Sequence, residues 1–335
     1  MRYSRRAVAV VLSLGIAACD GPRDMPSPPP STPPSESAAV TIGYSALRIS
    51  LPVFVAEQRG IFLRHGLDVT LRRYDTAQPL VEEVLDGRVD AGGYAALPII
   101  MTAVSRGGTA PRLTTALIED AEHPISRLLK KRGDASLTTV ADLRGKRIGI
   151  LPTIAYRRWL DAVLHAAGLA ASDVSVMPLA PPQQAAALAD GAVDALFTND
   201  PMATAMIARG VGELFGDPAP VPAALGGEVR FGSFLIGAGF AREHADVAAR
   251  LVAALDEAIG SIEADQRGAR RAMAPYVRPE ERAFIESYPD ARYLASSQGT
   301  GADLQHEIDA MARLGILDAP MHVEGWVLAS PRQAP

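Results

Sequence analysis

The stretch "DGRVDA", Asp86–Ala91, returns as "DGAVDA", Asp190–Ala195, 104 positions later. Two further echoes stand in the same order. Ile42-Gly43 in "AVTIGYS" returns as Ile148-Gly149 in "KRIGILP", and Gly66-Leu67 with Asp68-Val69 in "HGLDVTL" returns as Gly168-Leu169 with Asp173-Val174 in "AGLAASDVSV". Duplicated folds keep order and spacing while identities erode, so three echoes at nearly one offset predict two similar half-structures.

Around the echoes, from Val40 on, short apolar runs alternate with longer amphipathic ones, the pattern of an α/β sheet with helical crossovers. It predicts strands near 40–44, 67–73, 89–93, 113–118, 126–131, 147–151, 174–178, 193–197 and 231–237, with helices between them. Proline is tolerated in the first turn of a helix, where its missing N–H would have had no partner. Pro52, Pro79, Pro98, Pro182 and Pro201 each follow a predicted strand and stand just inside a predicted helix. Ligands of open α/β sheets lie at the carboxyl ends of the strands, so two such rims are expected. Beyond Ala241 the pattern is helical, and the Leu, Ile and Met spacing of "ADVAARLVAALDEAIGSIEAD" and "ADLQHEIDAMARLGIL" reads as a packing face.

The 335 residues suffice for two domains with cores of their own. A formal charge of -5 without basic clusters argues against nucleic acid as a partner. One cysteine permits no internal disulfide, no Cys-based zinc site and no Cys-x-x-Cys pair. It closes "MRYSRRAVAVVLSLGIAAC", residues 1–19, a basic start and an apolar run that read as a secretory signal peptide. "IAAC" resembles the signal box of bacterial lipoproteins, with Ile16 in place of the usual leucine, which implies acylation of Cys19. Residues 20–38, "DGPRDMPSPPPSTPPSESA", read as a Pro/Ser-rich tether. Asp20 after the cysteine, by resemblance to enterobacterial lipoproteins, favours retention at the inner membrane.

The run "GYSALRISLPVFVAEQRGIFLRHGLDVTLRRYDTAQPLVEEVLDGRVDAGG", Gly43 to Gly93, resembles the first lobe of the nitrate/sulfonate/taurine-type solute-binding proteins of ABC importers, a group that includes thiamine-precursor binders. The match is densest at "AEQRGIFLRHGLDV", and "TTVADLRGKRIGI" resembles the opening of the second lobe in the same family. The resemblance implies a type II periplasmic binding protein fold: two lobes, a central cleft and a two-strand hinge. It places lobe 1 at 39–121 and 238–325, lobe 2 at 126–230, hinges near "EDAEHP" and "RFGSFLI", and a C-terminal tail at 326–335. It also implies a lipid-anchored periplasmic monomer that captures a small molecule and partners an ABC importer permease.

Under that fold three matched strand ends face the cleft. In lobe 1 they give Ser45, Ala46 and Leu47, then Tyr74 to Thr76, then Tyr94 and Ala95; in lobe 2, Pro152 and Thr153, then Ala180, then Thr198, Asn199 and Asp200. Ser45, Thr153 and Asn199 offer polar groups beside helix N–H groups, which suits an anion or a polar heterocycle. Thr153 and Asp200 read equally well as helix N-caps. Tyr94 offers an aromatic face with a polar tip, and as a rim residue it is expected to carry little of either core. Arg48, Arg157 and Arg158 are the cations near these rims, and Arg157 and Arg158, adjacent on a helix, cannot both face a ligand. The loops are otherwise mild and apolar, which leaves a neutral or hydrophobic solute open.

An enzyme of this fold is the main rival. Pyrimidine synthases of this fold use a Cys cluster, and no cysteine follows Cys19; menaquinone-pathway enzymes share the fold too. The rims pair no carboxylates, set no nucleophile beside a base and space no histidines for a metal, and the chain has no P-loop or dinucleotide glycine pattern. Neither cofactor nor metal is expected.

Overall fold

The computed structural model describes residues 37–328; the predicted signal peptide, Cys19 and almost all of the tether lie outside the described residues. The body opens with β1 (Ala38–Ser45), α1 (Leu51–Gln58), α2 (Ile61–Arg64), β2 (Leu67–Tyr74), α3 (Ala77–Leu85), β3 (Ala91–Ala95), α4 (Leu97–Ser105) and β4 (Arg112–Glu119). The chain then crosses to β5 (Arg127–Lys131), β6 (Arg147–Ile150), α5 (Ile154–Ala166), β7 (Ser175–Pro178), α6 (Pro181–Ala189), β8 (Ala195–Thr198), α7 (Met202–Ala208), β9 (Gly212–Leu214) and α8 (Pro220–Leu225). It returns through β10 (Val229–Ile236) to α9 (Ala238–Glu243), α10 (Ala245–Ala264), α11 (Gln266–Arg270), β11 (Arg292–Leu294) and α12 (Gly301–Arg313).

Two mixed sheets result, in the orders β11-β4-β10-β3-β1-β2 and β7-β6-β8-β5-β9. Counted from the β2 edge of the one and the β7 edge of the other, their first three strands are equivalent. Ile42 of β1 faces Ala91 of β3 in parallel register, and Ile148 of β6 faces Ala195 of β8 in the same way. The fourth strand of each sheet, β10 or β5, runs antiparallel to the third and arrives from the other half of the molecule.

The repeated phrase has a physical job. In both copies the Asp-Gly ends a helix, with Gly87 and Gly191 at φ 73° and 71°, a left-handed conformation that costs glycine little. Three residues on, the second Asp reaches sideways to the neighbouring strand. Thr41 N–H donates to the Asp90 carboxylate at 2.7 Å and Arg147 N–H to that of Asp194 at 2.8 Å. The Asp90 and Asp194 amides donate back to the Thr41 and Arg147 carbonyls. This reciprocal pair fixes where the third strand starts against the first, and so where both strands end.

All nine predicted strands are present; the three-residue edge strands β9 and β11 are additional. β10 pairs with β4 and β3 from Val229 onward, so it belongs to the six-stranded sheet. The return crossing therefore precedes Val229, upstream of "RFGSFLI", and the boundary expected at 238 is corrected by this pairing. Pro52, Pro98 and Pro182 stand in the first two positions of α1, α4 and α6, and Pro79 in the third of α3. Pro201 instead precedes α7 as its N-cap. The long α10 buries Val247, Leu251, Leu255, Ile259 and Ile262 along one face, and α12 buries Leu304, Ile308 and Met311.

Candidate functional site

Strand ends from both sheets meet around one small cavity of about 40 Å³. From the six-stranded side come Ser45 at the end of β1 and Leu47 after it, Asp75 and Thr76 after β2, Tyr94 and Ala96 at β3, and Phe231 of β10. The five-stranded side adds Leu151, Thr153, Tyr156 and Trp159 after β6 and Asn199 after β8. The two sides begin with the same tight turn: Leu47 N–H donates to the Ser45 carbonyl at 2.7 Å, and Thr153 N–H to the Leu151 carbonyl at 2.8 Å.

Four polar atoms around this cavity are buried and short of partners: Ser45 Oγ and Trp159 Nε1 have none, and Tyr156 OH and Asn199 Oδ1 have none beyond the contact between their own two side chains. Leaving such atoms unpaired costs about 1–3 kcal/mol each, and native interiors seldom tolerate it without a reason. Here one is supplied by the last residue of β1, one by the loop after β8 and two by one face of α5, where positions 153, 156 and 159 recur at helical spacing. Trp159 also stacks on Phe231 across the two halves, with ring centroids 4.4 Å apart. Burial first, then the Glu119 and Asp200 carboxylates, hold the Tyr156 hydroxyl well above its ordinary pKa, so it is a neutral donor.

Tyr94 is the one non-glycine residue with positive φ among the described residues, at 57°. Strained backbone of this kind concentrates at functional sites. Its side chain does not behave as a rim group. The ring is fully buried, edge-on to Phe234 and Tyr293, and its hydroxyl pairs with Thr115 Oγ1 at 2.7 Å. The expectation that Tyr94 carries little of the core is therefore corrected: it is a core residue whose backbone shapes the cavity.

Of the remaining residues singled out in the sequence, Ala46, Leu47, Tyr74 and Ala180 line a second recess of about 110 Å³ on one flank. Pro152 and Thr153 line a groove of about 850 Å³ on the other, which shares Ile99, Leu151 and Thr153 with the inner cavity. Thr153 is an N-cap as well, accepting from Tyr156 N–H. Three residues line none of these spaces. Ala95 is enclosed in β3, and Thr198 turns inward to donate to Gln184 Oε1 at 2.6 Å. Asp200 accepts from the Thr204 amide and hydroxyl and faces Arg48, its Oδ2 lying 3.8 Å from Nε.

Arg48 is itself no rim cation. It is fully buried and donates to the carbonyls of Pro289, Asp290 and Pro124. Arg157 borders the outer groove and pairs with Asp161, and Arg158 pairs with Asp318. The crossing from β4 to β5 is fastened by Glu119, whose Oε1 accepts from Ile125 N–H, Ser126 N–H and Ser126 Oγ at 2.9, 2.7 and 2.6 Å. Its Oε2 has no partner, and burial pushes the carboxyl up to about 6.

Tyr156 and Trp159 were not legible as site residues, since on a helix they read as core. The signal that could have found them is their spacing from Thr153, which places all three on the face of α5 that looks toward the strand ends.

Among the described residues no helix is long and apolar enough to cross a membrane, and no group of His, Cys, Asp and Glu is placed to hold a metal ion. The nitrate import ATP-binding protein NrtC of Synechocystis sp. is 25% identical over 190 residues, 53% of this chain and 28% of that protein. The chain thus spans well under a third of the length of the curated relatives it first matches. Among solved structures, the alkanesulfonate-binding protein SsuA from Xanthomonas axonopodis pv. citri, bound to MOPS, superposes with a TM-score of 0.69 at 25% identity. That match covers 88% of this chain and 99% of the other. The periplasmic nitrate-binding protein NrtA from Synechocystis PCC 6803 has the same fold, with a TM-score of 0.64 at 15% identity over 87% and 85% of the two chains. The fold is that of the periplasmic binding proteins, and with residues 33–277 matching its pattern the chain belongs to the NMT1-like family.

Proposed function

We propose that the protein is the extracytoplasmic solute-binding component of an ABC importer, holding one small molecule between its two halves. The observation that carries this reading is the set of four buried polar atoms short of partners, drawn from both halves and gathered around a single cavity. They are fully paired only when something polar occupies the space. Pockets for small molecules usually measure about 300–1,000 Å³, and the inner cavity is far smaller. A solute therefore enters when the halves part about the two crossings and is enclosed when they close, its contacts to both halves driving closure. Ser45, Leu47, Thr76, Thr153, Tyr156, Trp159 and Asn199 supply those contacts in this reading.

The sequence of residues 1–38 supports delivery across the cell membrane and anchoring through lipidated Cys19. A binding role is favoured over an enzymatic one by the lining of the site, in which Asp75 is the one charged group and no histidine, cysteine or lysine stands. The test is mass spectrometry of small molecules released on denaturing protein purified from its native host. One compound at near-equal stoichiometry is expected, and its loss in Asn199→Leu protein. A compound released equally from both proteins places the site elsewhere, and a chemically altered product formed from it by the protein supports the enzyme reading instead.

A further inference from the structure

We propose that the solute held in this cavity is uncharged, carrying both hydrogen-bond acceptors and donors, and that it is not an oxyanion. The inference rests on the binding reading above and concerns the chemistry of the same site.

Three features of the structure argue for it. First, the one charged residue lining the inner cavity is Asp75, a carboxylate; no Lys, Arg or His lines it. The cation nearest in sequence to the strand ends, Arg48, spends Nη1 and Nη2 on three backbone carbonyls, and its Nε faces the Asp200 carboxylate at 3.8 Å. Burying an anion without a cation demands a dense set of N–H donors.

Second, part of the donor set at the surrounding helix N-termini is missing or taken, although α3, whose Thr76 and Ala77 line the cavity, carries no side-chain cap. α4 carries Pro98 at its second position and so lacks that N–H. Thr153 caps α5 at Tyr156 N–H, and the Asp200 carboxylate takes Thr204 N–H in the first turn of α7. A carboxylate at that helix start opposes an incoming anion as well as occupying the dipole's positive end.

Third, the atoms short of partners are of mixed kind. Ser45 and Tyr156 bring hydroxyls and Trp159 a donor-only N–H, whereas Asn199 presents an amide whose carbonyl oxygen lacks any donor other than Tyr156. A fully ionised nitrate or sulfonate group has no hydrogen to give an amide oxygen. A molecule with a carbonyl or ring-nitrogen edge beside an N–H or O–H satisfies both kinds, and Leu47, Ile49, Ile99 and Leu151 provide apolar walls for the rest of it.

The experiment uses the small-molecule extract of the native host, divided at pH 7 by ion exchange into an anion-retained, a cation-retained and an unretained fraction. Each is added to the purified protein and the melting temperature is read. The unretained fraction is expected to raise it by about 5 °C or more near saturation, while nitrate, bicarbonate and ethanesulfonate added alone at about 10 mM leave it unchanged. Stabilisation by the anion-retained fraction or by any of the three salts overturns the inference and leaves the binding reading standing. Activity confined to the cation-retained fraction overturns the uncharged assignment. A protein that no fraction stabilises contradicts the binding reading itself.

Discussion

The hydroxyl of Tyr156 is buried with no group but Asn199 beside it to pair with, and that of Tyr94 is buried with a close partner in Thr115. Substituting each by Phe therefore separates binding from folding. Tyr156→Phe removes a donor short of partners, so the unliganded protein is expected to be as stable as the wild type or slightly more so, while affinity for the released solute falls about 3–10-fold. Urea unfolding and calorimetric titration read the two effects. Tyr94→Phe leaves Thr115 unpaired and is expected to cost about 1 kcal/mol of stability, and Tyr94→Ala about 3–5 kcal/mol through the cavity left between Phe234 and Tyr293. A Tyr94→Ala protein as stable as the wild type contradicts its place in the core. At this scale the sequence told which strand ends meet, and misjudged which way some residues turn. Side chains alternate along a strand and its exit, so Thr198 and Asn199 point to opposite sides although both stand at the rim. Arg48 looked like a ligand cation because its partners, Pro124, Asp200, Pro289 and Asp290, are distant in sequence and no local pattern announces them.

Among the elements, the two copies of β1-β3 and β6-β8 stand in the same register, each held by a backbone-to-carboxylate bond from an equivalent Asp. Asp90→Ala and Asp194→Ala are each expected to lower stability by about 1–2 kcal/mol, with the steepness of urea unfolding unchanged. A loss in only one of them contradicts the shared role of the repeated phrase. Strands of four residues or more were legible because apolar runs, glycine turns and early-helix prolines all mark the same boundaries. The three residues of β9 and of β11 hold too little alternation to register, and only tertiary pairing with β5 and β4 makes them strands. The start of the return crossing was placed too late for a related reason: β10 is buried along its whole length, Arg230 and Ser233 included, so no alternation in its sequence distinguishes the sheet it joins.

Across the whole molecule, the first crossing is one of the two places where the halves are joined, and Glu119 sits there with one carboxylate oxygen accepting three hydrogen bonds and the other unpaired. Its folded pKa is raised to about 6 by burial, above the ordinary carboxylate value of the unfolded chain. The folded state thus holds this proton more tightly, so the group favours folding below about pH 4.5 and costs stability as pH rises through about 6, by about 2 kcal/mol in all. Glu119→Gln mimics the protonated form; its stability relative to wild type is expected to rise from near zero at about pH 4.5 to that value at about pH 7.5. A difference that does not vary with pH contradicts the burial of an ionised Glu119 at the joint. The same joint must flex if the inner cavity of about 40 Å³ is to receive a solute. Small-angle X-ray scattering of the protein, alone and saturated with the compound released from native material, tests this most directly. A smaller radius of gyration and a shorter maximum dimension are expected on saturation, as the halves close over Ser45, Tyr156, Trp159 and Asn199; saturable binding with unchanged scattering rules out closure of the halves on the solute.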